Sequence, residues 1–438
     1  MNKKTVNFYT LGCKVNQYES NAMAQEFAEA GYKVVHEGEK AEIAIVNTCT
    51  VTNMADRKSR QLLRRIKKAN PETVVVAVGC YVQVAKDKVE QIPEIDLVLG
   101  NNEKKEIVKY VEKYLNEQKK LEKVTDVMHQ KDFIDFGSTT YTEKTRAEIK
   151  IQDGCDRFCS YCIIPYARGR VRSRKPESII EEVTKIAKGG IQEIVITGIH
   201  VASYGKDFNT GYGLIDLLEE LNKVEGLKRI RLSSIEPMII TDEFVARLKK
   251  LDKICHHFHL SLQSGCDETL KRMNRRYTTA EFMEVVEKLR KAYEDVNLTT
   301  DIIVGFPGET DEEFNTTYEF LKKVKFYKMH VFKYSQREGT KAAVMPNQID
   351  GKVKEERSQR LIELSDKNQR KYNEQYIGKE VEVLFEEKEG KYFKGHTSNY
   401  MLVKYKTDEN LENCLKVVNW DVANWQISYS TWLKWYDR

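Results

Sequence analysis

The sequence predicts an α/β protein with three parts: an N-terminal doubly wound parallel α/β domain, a central partial barrel of six β/α units of the TIM type, and a small C-terminal β-barrel. Two separate stretches alternate β-branched runs with amphipathic helical runs, which is typical of parallel sheets covered by helices. The last part alternates apolar and polar residues one by one. The 438 residues, 41% of them hydrophobic, are enough for two or three ordinary cores.

The N-terminal part, residues 1–120, contains four runs that predict strands, near residues 6–11, 42–47, 73–78 and 96–99. A cysteine follows each of the first three runs: Cys13, Cys49 and Cys80. Because the carboxyl ends of parallel strands meet at one edge of a sheet, we expect these thiols to lie together. A free cysteine is often a small buried hydrophobe. Three equivalent placements, with Gly12 and Gly79 before two of them, favour a metal-cluster site instead.

The barrel is predicted over residues 146–351, after a linker at 121–145 that has no strong periodicity. Its predicted strands lie near residues 147–152, 193–198, 229–234, 258–263, 298–305 and 329–335. Six strands alternating with helices favour a partial barrel over a closed eightfold one. A charged connecting helix at 352–376 then leads to residues 377–438, where alternating strands predict a small β domain of a kind often used on RNA.

A loop of three cysteines follows the first barrel strand, Cys155-Asp-Arg-Phe-Cys159-Ser-Tyr-Cys162. A zinc site would usually have a fourth Cys or His nearby and C-x-x-C spacing, whereas three thiolates leave one iron of a 4Fe-4S cluster open to another ligand. The spacing favours the cluster, and with Gly154 and Tyr161 it resembles the radical S-adenosylmethionine superfamily. A structural zinc loop and unligated thiols are the alternatives.

Polar or glycine-rich segments follow the next barrel strands, at the end of the barrel where TIM-type folds place their chemistry. The candidate S-adenosylmethionine contacts are Tyr161, Thr197, Gly198, Ser233, Ser234, Glu236, Gln263, Gly305 and Gly308. Each segment alone is weak evidence. Together, behind a cluster loop, they predict a bound S-adenosylmethionine.

Two basic stretches near this end of the barrel predict RNA contacts. Their arginines are Arg168, Arg170, Arg172, Arg174, Arg275 and Arg276. Charge runs are usually solvated, but here they lie beside the candidate site, with Tyr166 and Tyr277 available for stacking. The helix containing residues 57–68 is also basic, and there a solvated face and contact with RNA phosphates stay open. The net charge of +5 is mild, so RNA affinity must come from local patches.

With these parts in place, residues 1 to about 410 resemble the methylthiotransferase family. The resemblance rests on Thr-Leu-Gly-Cys-Lys-Val-Asn-Gln-Tyr-Glu-Ser, Asn-Thr-Cys-Thr-Val-Thr-Asn, Arg-Gly-Arg-Val-Arg-Ser-Arg and Leu-Ser-Ser-Ile-Glu-Pro. These sequence segments resemble those of the family branch that acts on threonylcarbamoyladenosine in tRNA. The other branches act on isopentenyladenosine in tRNA or on an aspartate of a ribosomal protein.

The resemblance implies an enzyme with two 4Fe-4S clusters and S-adenosylmethionine as cofactors. Cys155, Cys159 and Cys162 would hold the cluster that cleaves S-adenosylmethionine to a radical. Cys13, Cys49 and Cys80 would hold an auxiliary cluster that carries the sulfur to be methylated and transferred. The implied partners are a tRNA anticodon stem-loop, modified at C2 of the adenosine 3′ of the anticodon, and an electron donor. An iron–sulfur RNA-binding or redox-sensing protein without radical chemistry is the alternative from another class.

The two ends of the chain carry the remaining expectations. The first residues have no apolar signal-peptide core, and no run is long enough to span a bilayer, so we expect a cytoplasmic protein without membrane contact. All four tryptophans, Trp420, Trp425, Trp432 and Trp435, fall in the last 19 residues. From about Asn419 the closing strands are hard to find. We therefore expect a frame-altered or a truncated, divergent end and an incompletely closed accessory barrel.

Overall fold

The computed structural model describes residues 4–140 and 145–421. Its strands form four sheets. The strands are β1 Thr5–Thr10, β2 Lys33–Val35, β3 Ile43–Thr48, β4 Val74–Gly79, β5 Leu97–Leu99, β6 Leu121–Lys123, β7 Arg146–Asp153, β8 Arg172–Ser173, β9 Glu193–Gly198, β10 Arg229–Leu232, β11 Ser234–Ile235, β12 His257–Gln263, β13 Asn297–Val304, β14 Lys328–Lys333, β15 Glu380–Glu389, β16 Tyr392–Thr397, β17 Leu402–Lys406 and β18 Leu415–Asn419.

The α-helices between these strands start where the sequence supplies helix signals. Thr278 and Thr310 cap two of them with a glutamate three residues on, and Pro176 occupies the first turn of a third. The helices are α1 Lys14–Glu29, α2 Asn53–Ala69, α3 Cys80–Val84, α4 Lys86–Glu90, α5 Ile107–Glu117, α6 Ile164–Arg168, α7 Pro176–Lys188, α8 Leu214–Leu221, α9 Asp242–Leu248, α10 Asp267–Arg272, α11 Thr279–Ala292, α12 Asp311–Val324 and α13 Gly351–Glu374.

The N-terminal sheet is parallel, in the order β2-β1-β3-β4-β5-β6, with a hydrophobic core on each face. The four predicted strands are confirmed as β1, β3, β4 and β5. The sequence analysis missed the two edge strands, β2 and β6, because three residues are too few for a periodic signal. Since β1, β3 and β4 are neighbours, the three cysteines that follow them start from one edge of the sheet.

The six predicted barrel strands are confirmed as β7, β9, β10, β12, β13 and β14, side by side in that order. The short strands β8 and β11 extend the two halves, which meet through a bridge between Ile230 and Ile254. One face of these strands packs against the barrel helices in the largest core. The other face lines the interior of the partial barrel, which we call the lumen. The carboxyl ends of the strands define the mouth, and their amino ends define the base.

Residues 125–139, within the predicted linker, form a strap that packs against both domains. Thr125 accepts a hydrogen bond from Gln83 in the N-terminal domain, and the Thr139 amide donates to Glu182 on α7, at 2.8 Å in both cases. Arg174 contributes a bond to the carbonyl of Gly137. The absence of periodicity in this segment therefore reflects irregular but well-bonded backbone.

The N-terminal domain and the barrel share a buried ion network centred on Glu19 of α1. Its carboxylate pairs with Lys104, with Lys150 of β7 at 2.7 Å, and with Arg168 at the end of α6. These groups are almost completely buried. Burial raises the pKa of Glu19, but the charges of Arg168, Lys104 and Lys150 outweigh it and hold the pKa well below its usual range. The network fixes α1 against the barrel strands β7 and β9.

A second interdomain contact lies beyond β14, where Arg337 reaches the loop after β3. Its guanidinium donates to the Thr50 hydroxyl at 2.7 Å and to a carboxylate oxygen of Asp56 at 2.8 Å. The side-chain amide of Asn53 donates to the carbonyl of Gln336. The loop that contains Cys49 is thus held directly by the barrel.

The C-terminal domain is a four-stranded antiparallel sheet, β17-β16-β15-β18, against the base of the barrel. Arg231 donates to the carbonyls of Thr397 and Ser398, and the Tyr400 ring stacks between His257 and His396 at centroid distances of 4.7 and 4.5 Å. Trp420 is fully buried in this domain. The rest of the tail that we expect to diverge, with Trp425, Trp432 and Trp435, is residues 422–438, which lie outside the described residues.

No helix in the described ranges combines the length and apolarity needed to cross a membrane.

We predict that Glu19→Ala destabilises the protein by about 3 to 5 kcal/mol, the usual cost of removing one partner from a buried ion pair. Lys104, Lys150 and Arg168 would lose the carboxylate that they share. Urea unfolding measures the effect, with Glu29→Ala as the control because Glu29 is an exposed residue on the same helix. The control should change the unfolding free energy by less than about 0.5 kcal/mol. Equal effects of the two variants would contradict the prediction.

Candidate active site at the barrel mouth

The loop after β7 carries Cys155, Cys159 and Cys162, which we call the barrel triad. The loop can turn because Gly154 has φ +72°, and a Cβ atom on Gly154 would lie 1.8 Å from the Arg170 carbonyl oxygen. The Cys155 amide donates to Gly169, and the Ser160 amide donates to Met273, both at 3.0 Å. Phe158 has φ +47°, a left-handed conformation that is uncommon outside glycine. Such backbone strain is typical of functional loops.

Positive groups surround the sulfur atoms of the barrel triad. Arg275 donates to the Cys159 Sγ atom at 3.2 Å, and the Arg157 amide donates to the Cys155 Sγ atom at 3.4 Å. Burial raises the pKa of the Cys155 thiol to about 11 and that of Cys162 to about 12, and the neighbouring Cys159 sulfur adds to both shifts. Without a metal these thiols are therefore protonated at neutral pH. Metal binding must displace those protons.

The auxiliary triad, Cys13, Cys49 and Cys80, gathers at the edge of the N-terminal sheet as predicted. Cys13 caps α1, Cys80 begins α3, and a Cβ atom on Gly12 would lie 2.8 Å from the Cys49 Sγ atom. Cys13 is exposed, whereas burial raises the pKa of Cys49 to about 12, with contributions from the other two sulfurs. Gly12 and Gly79 have φ +107° and +103°, so both sites need glycine.

Both triads fit an iron–sulfur cluster better than a single zinc ion. Sulfur ligands of one zinc lie roughly 3.8 Å apart, from 2.3 Å bonds in tetrahedral geometry. Neither triad brings its three sulfur atoms within 4.8 Å of one another; across the described residues, only His259, Asp301 and His330 form a group that close. All six thiols are free of disulfides. Three thiolates leave one iron of a cubane cluster open to a further ligand.

Arg168 connects the two triads. It lies six residues after Cys162, at the end of α6, and its Nε donates to the Cys80 Sγ atom at 3.1 Å. Its Nη2 donates to Asn16 at 2.6 Å, three residues after Cys13. Six residues of mostly helical chain span about 9 Å. The two cluster sites therefore face the same mouth of the barrel, with the Arg168 charge beside the auxiliary thiolates.

Several of the candidate S-adenosylmethionine contacts lie at this mouth, and some of them have polar groups that could bond to a ligand. The Ser233 hydroxyl is buried without a hydrogen-bond partner among the described residues, and the Ser234 hydroxyl faces that of Ser261 at 2.6 Å. Gln263 ends β12 with φ +72°. Tyr161 packs against Phe306, whereas Thr197 and Gly198 end β9 next to Gln152. These residues stay candidates for the ligand.

Glu236 contacts the cluster loop and the segment after β9. Its carboxylate bonds to Arg157, lies 3.5 Å from His200 Nε2 and is 3.9 Å from Arg275. Burial raises the pKa of Glu236, but the hydrogen bond and charge of His200, with the two arginines, lower it to about 2. The sequence offered Glu236 as a ligand contact. In the structure its first role is to hold Arg157 and the cluster loop in place.

Gly305 and Gly308, two of the candidate ligand contacts, lie close to side chains from other elements. A Cβ atom at Gly305 would collide with the Lys354 side chain of α13, at 2.3 Å from its Cγ atom. The close approach at this glycine is therefore to a helix of the barrel, and Gly308 similarly faces Arg272. Both glycines stay candidates for the ligand.

The predicted RNA-binding run of arginines is mostly buried, which corrects that expectation for three of its members. Arg168, Arg172 and Arg174 are 1%, 2% and 0% exposed, because Arg168 pairs with Glu19, Arg172 donates to the Arg168 carbonyl and Arg174 pairs with Glu182. Arg170 is different: its side chain is 54% exposed. In the second stretch, Arg275 binds Cys159 and only Arg276 is exposed.

Sequence reasoning missed Glu19, Lys14 and the polar groups that line the lumen. It also missed a cavity of about 560 Å³ beside the cluster loop, lined in part by Arg157, Tyr204, Tyr212 and Glu236. A signal for Glu19 existed in its helix, since Val15, Glu19 and Met23 fall on one buried face. An acidic residue on such a face indicates a buried partner.

A partial parallel barrel with three cysteines after its first strand defines a radical S-adenosylmethionine enzyme, and the comparisons with known proteins agree. The radical SAM superfamily model matches residues 149–321, and the model of "Uncharacterized protein family UPF0004" matches residues 5–100. The chain belongs to the methylthiotransferase family of these enzymes. Membership implies iron–sulfur clusters and S-adenosylmethionine as cofactors.

Three relatives illustrate the family. The Threonylcarbamoyladenosine tRNA methylthiotransferase MtaB of Bacillus subtilis is 45% identical, covering 93% of this chain and 91% of its own. The protein of the same name from Aquifex aeolicus is 41% identical over 86% and 92%. The tRNA-2-methylthio-N(6)-dimethylallyladenosine synthase of Caldicellulosiruptor saccharolyticus is 38% identical over 95% and 89%.

Among solved structures, the fold is similar to the radical S-adenosylmethionine methyltransferase TsrM from Kitasatospora setae, with cobalamin and a 4Fe-4S cluster bound. The TM-score is 0.56 at 15% identity, covering 78% of this chain and 74% of that one. This likeness supports the arrangement of the fold alone.

We predict that Gly154→Ala removes the iron of the barrel triad, because the new Cβ atom and the Arg170 carbonyl cannot both keep their positions. The reconstituted variant should hold about four fewer iron atoms per chain than the wild type, as measured by iron analysis. Gly190→Ala is the matched control: Gly190 also has a positive φ, +93°, but has no atom within 4 Å of a Cβ. A Gly154→Ala protein with full iron content would contradict the prediction.

Proposed function

We propose that this protein inserts a methylthio group at C2 of N6-threonylcarbamoyladenosine, 3′ of the anticodon in tRNA. The observation that carries the proposal is the placement of two cysteine triads at one barrel mouth, joined by Arg168. The names of the Bacillus subtilis and Aquifex aeolicus relatives support this base. The name of the Caldicellulosiruptor saccharolyticus relative supports the same chemistry on a dimethylallyl-substituted adenosine. A ribosomal-protein substrate has no support among these relatives.

The two triads divide the reaction between them in this proposal. Cys155, Cys159 and Cys162 would hold the cluster at the barrel mouth, next to Ser233, Ser234 and Gln263. Cys13, Cys49 and Cys80 would hold the cluster that carries the transferred sulfur. When bound, S-adenosylmethionine and a reduced cluster supply a radical that takes hydrogen from the target carbon, and a second S-adenosylmethionine supplies the methyl group. The protein holds the adenine between the triads.

The RNA contacts that remain available are Arg170, Arg276 and Tyr166. The Arg170 guanidinium lies 4.8 Å above the Phe158 ring, which packs edge-on against the exposed Tyr166. An exposed aromatic group with an arginine beside the cluster loop suits an unstacked base and its phosphate. The solvent-facing side of α2, with Arg64, Arg65 and Lys68, could add phosphate contacts. We infer a cytoplasmic location, where tRNA and a low-potential electron donor meet.

The division between triads predicts different losses for two cysteine variants. Cys155→Ala should abolish release of 5′-deoxyadenosine by the reduced enzyme. Cys49→Ala should keep that release, since the barrel triad is intact, but should produce no methylthiolated RNA. Cys414→Ala is the control, because Cys414 belongs to neither triad. Chromatography of the nucleosides and of 5′-deoxyadenosine measures both products. Loss of 5′-deoxyadenosine release in a Cys49→Ala protein that retains the barrel iron would refute the division. If neither the wild type nor any variant releases 5′-deoxyadenosine, the result would favour an iron–sulfur protein without radical chemistry.

The substrate proposal predicts a preference between anticodon stem-loops. Purified enzyme should methylthiolate RNA that carries threonylcarbamoyladenosine at a kcat/KM at least about a hundredfold above that for isopentenyladenosine or unmodified adenosine. A site built to bond a polar group rejects analogues that lack it by such factors. Competition in one reaction, followed by nucleoside mass spectrometry, gives the ratio directly. Equal rates on the isopentenyl RNA would assign the enzyme to the other tRNA branch.

A further inference from the structure

A layer of polar side chains crosses the middle of the lumen. On β12, Phe258, Leu260 and Leu262 point into the outer core and are fully buried, whereas His259 and Ser261 alternate with them and keep accessible surface. Asp301 on β13 and His330 on β14 are register partners and are also partly accessible. The lumen is therefore open at this level, one layer below the mouth, and lined by groups that can bond to a ligand.

Two neighbouring strands hold this layer in a defined orientation. His259 Nε2 lies 3.2 Å from Asp301 Oδ2, and its Nδ1 lies 3.0 Å from the Thr299 hydroxyl. The same hydroxyl lies 2.9 Å from His257 Nε2. The His330 ring is 5.7 Å from that of His259. The layer is thus preorganised, with one carboxylate already paired to an imidazole.

Lys14 enters the lumen from the N-terminal domain. It is the first residue of α1, directly after Cys13, and it keeps accessible surface although it lies near Tyr400, Arg146 and Arg231, which close the base. The surrounding cations are paired: Arg231 with Glu193, Arg146 with Glu386, and the Glu19 network described above. Lys14, by contrast, makes no hydrogen bond or salt bridge with any residue in the described ranges. Burial lowers the pKa of Lys14, and the nearby Glu148 carboxylate of β7 opposes that shift, but no carboxylate in the described ranges bonds to this ammonium group.

The ligand atoms of His259, Asp301 and His330 lie within 4.8 Å of one another, a spacing that could also suit a metal ion. The charges around the layer oppose this. Asp301 is paired with His259, and Glu148 acts on Lys14. At His330, burial lowers the pKa first, and the charges of His259, Lys328 and Lys14 lower it further against the effect of Asp301. Such a field repels a further cation and attracts an anion.

We propose that Lys14, His259 and His330 form a lumen subsite that binds the threonylcarbamoyl side chain of the substrate, with the Lys14 ammonium on its carboxylate. This rests on the proposed function. The side chain carries a carboxylate, a hydroxyl and a carbamoyl group, and a neutral imidazole can both donate and accept a hydrogen bond. Burial lowers the pKa of His330 to about 4, so its ring is neutral at pH 7. An isopentenyl group would leave the ammonium unpaired, so the subsite discriminates against it.

The test is the substrate preference of the Lys14→Met holoenzyme. Iron content is measured first, because Lys14 adjoins Cys13. Competition between stem-loops with threonylcarbamoyladenosine and with isopentenyladenosine should show that Lys14→Met lowers the wild-type preference on the order of tenfold or more, the effect of losing one charge-assisted bond. Lys14→Arg should keep most of the preference, because it keeps the charge. Lys250→Met, at an exposed lysine two residues after the end of α9, should leave the preference unchanged.

The outcomes separate the subsite from the function that it serves. A wild type with no preference for the threonylcarbamoyl RNA would overturn the proposed function itself. A wild type that shows the preference and an iron-replete Lys14→Met protein that keeps it would overturn the subsite alone. If the Lys14→Met protein loses the iron of the auxiliary triad, His330→Leu is used as the test variant instead. An unchanged substrate preference of the His330→Leu protein would overturn the subsite. Metal analysis that finds one zinc ion per chain in the wild-type holoenzyme and none in the His330→Leu protein would also overturn the subsite, in favour of a metal site.

Discussion

The buried carboxylate of Glu19 is the constraint on which the arrangement of the two cysteine triads depends. It binds Lys104 of its own domain, Lys150 of the first barrel strand and Arg168 of the helix that follows the barrel triad. A carboxylate with three cations stays ionised even without water, and none of the four groups can leave without exposing uncompensated charge. The pairing fixes α1, and with α1 it fixes Cys13 and Lys14 at the lumen.

The position of Arg168 makes this network part of the site as well as part of the fold. One guanidinium bonds to Glu19, Asn16 and the Cys80 sulfur at once. Rigid support of this kind sets the distance between two cofactors more reliably than a flexible linker would. At the other end of the barrel, Arg231 contacts the Tyr400 ring and the carbonyls of Thr397 and Ser398, and these contacts close the base.

The strands and both triads could be predicted because their signals are local. Runs of β-branched residues fix the strands, and a cysteine directly after a parallel strand must lie at the sheet edge. The role of the arginine run could not be predicted in the same way. Arg168 and Arg170 are equivalent in a local pattern, but one meets Glu19, 149 positions earlier in the chain, and the other meets solvent. The contact of Gly305 with Lys354 could not be predicted either, since Lys354 belongs to a helix that is distant in the sequence. The lumen layer of His259, Asp301 and His330 likewise comes from three separate strands.

The most direct measurement is mass spectrometry of the tRNA nucleosides from a strain in which the gene is deleted. The two-triad site and its polar lumen predict that 2-methylthio-threonylcarbamoyladenosine disappears while threonylcarbamoyladenosine accumulates to a matching extent, and that the wild-type gene restores the methylthio form whereas a Cys155→Ala gene does not. Unchanged levels of the methylthio nucleoside in a strain with no second copy of the gene would contradict the assignment, as would a loss confined to methylthiolated isopentenyladenosine.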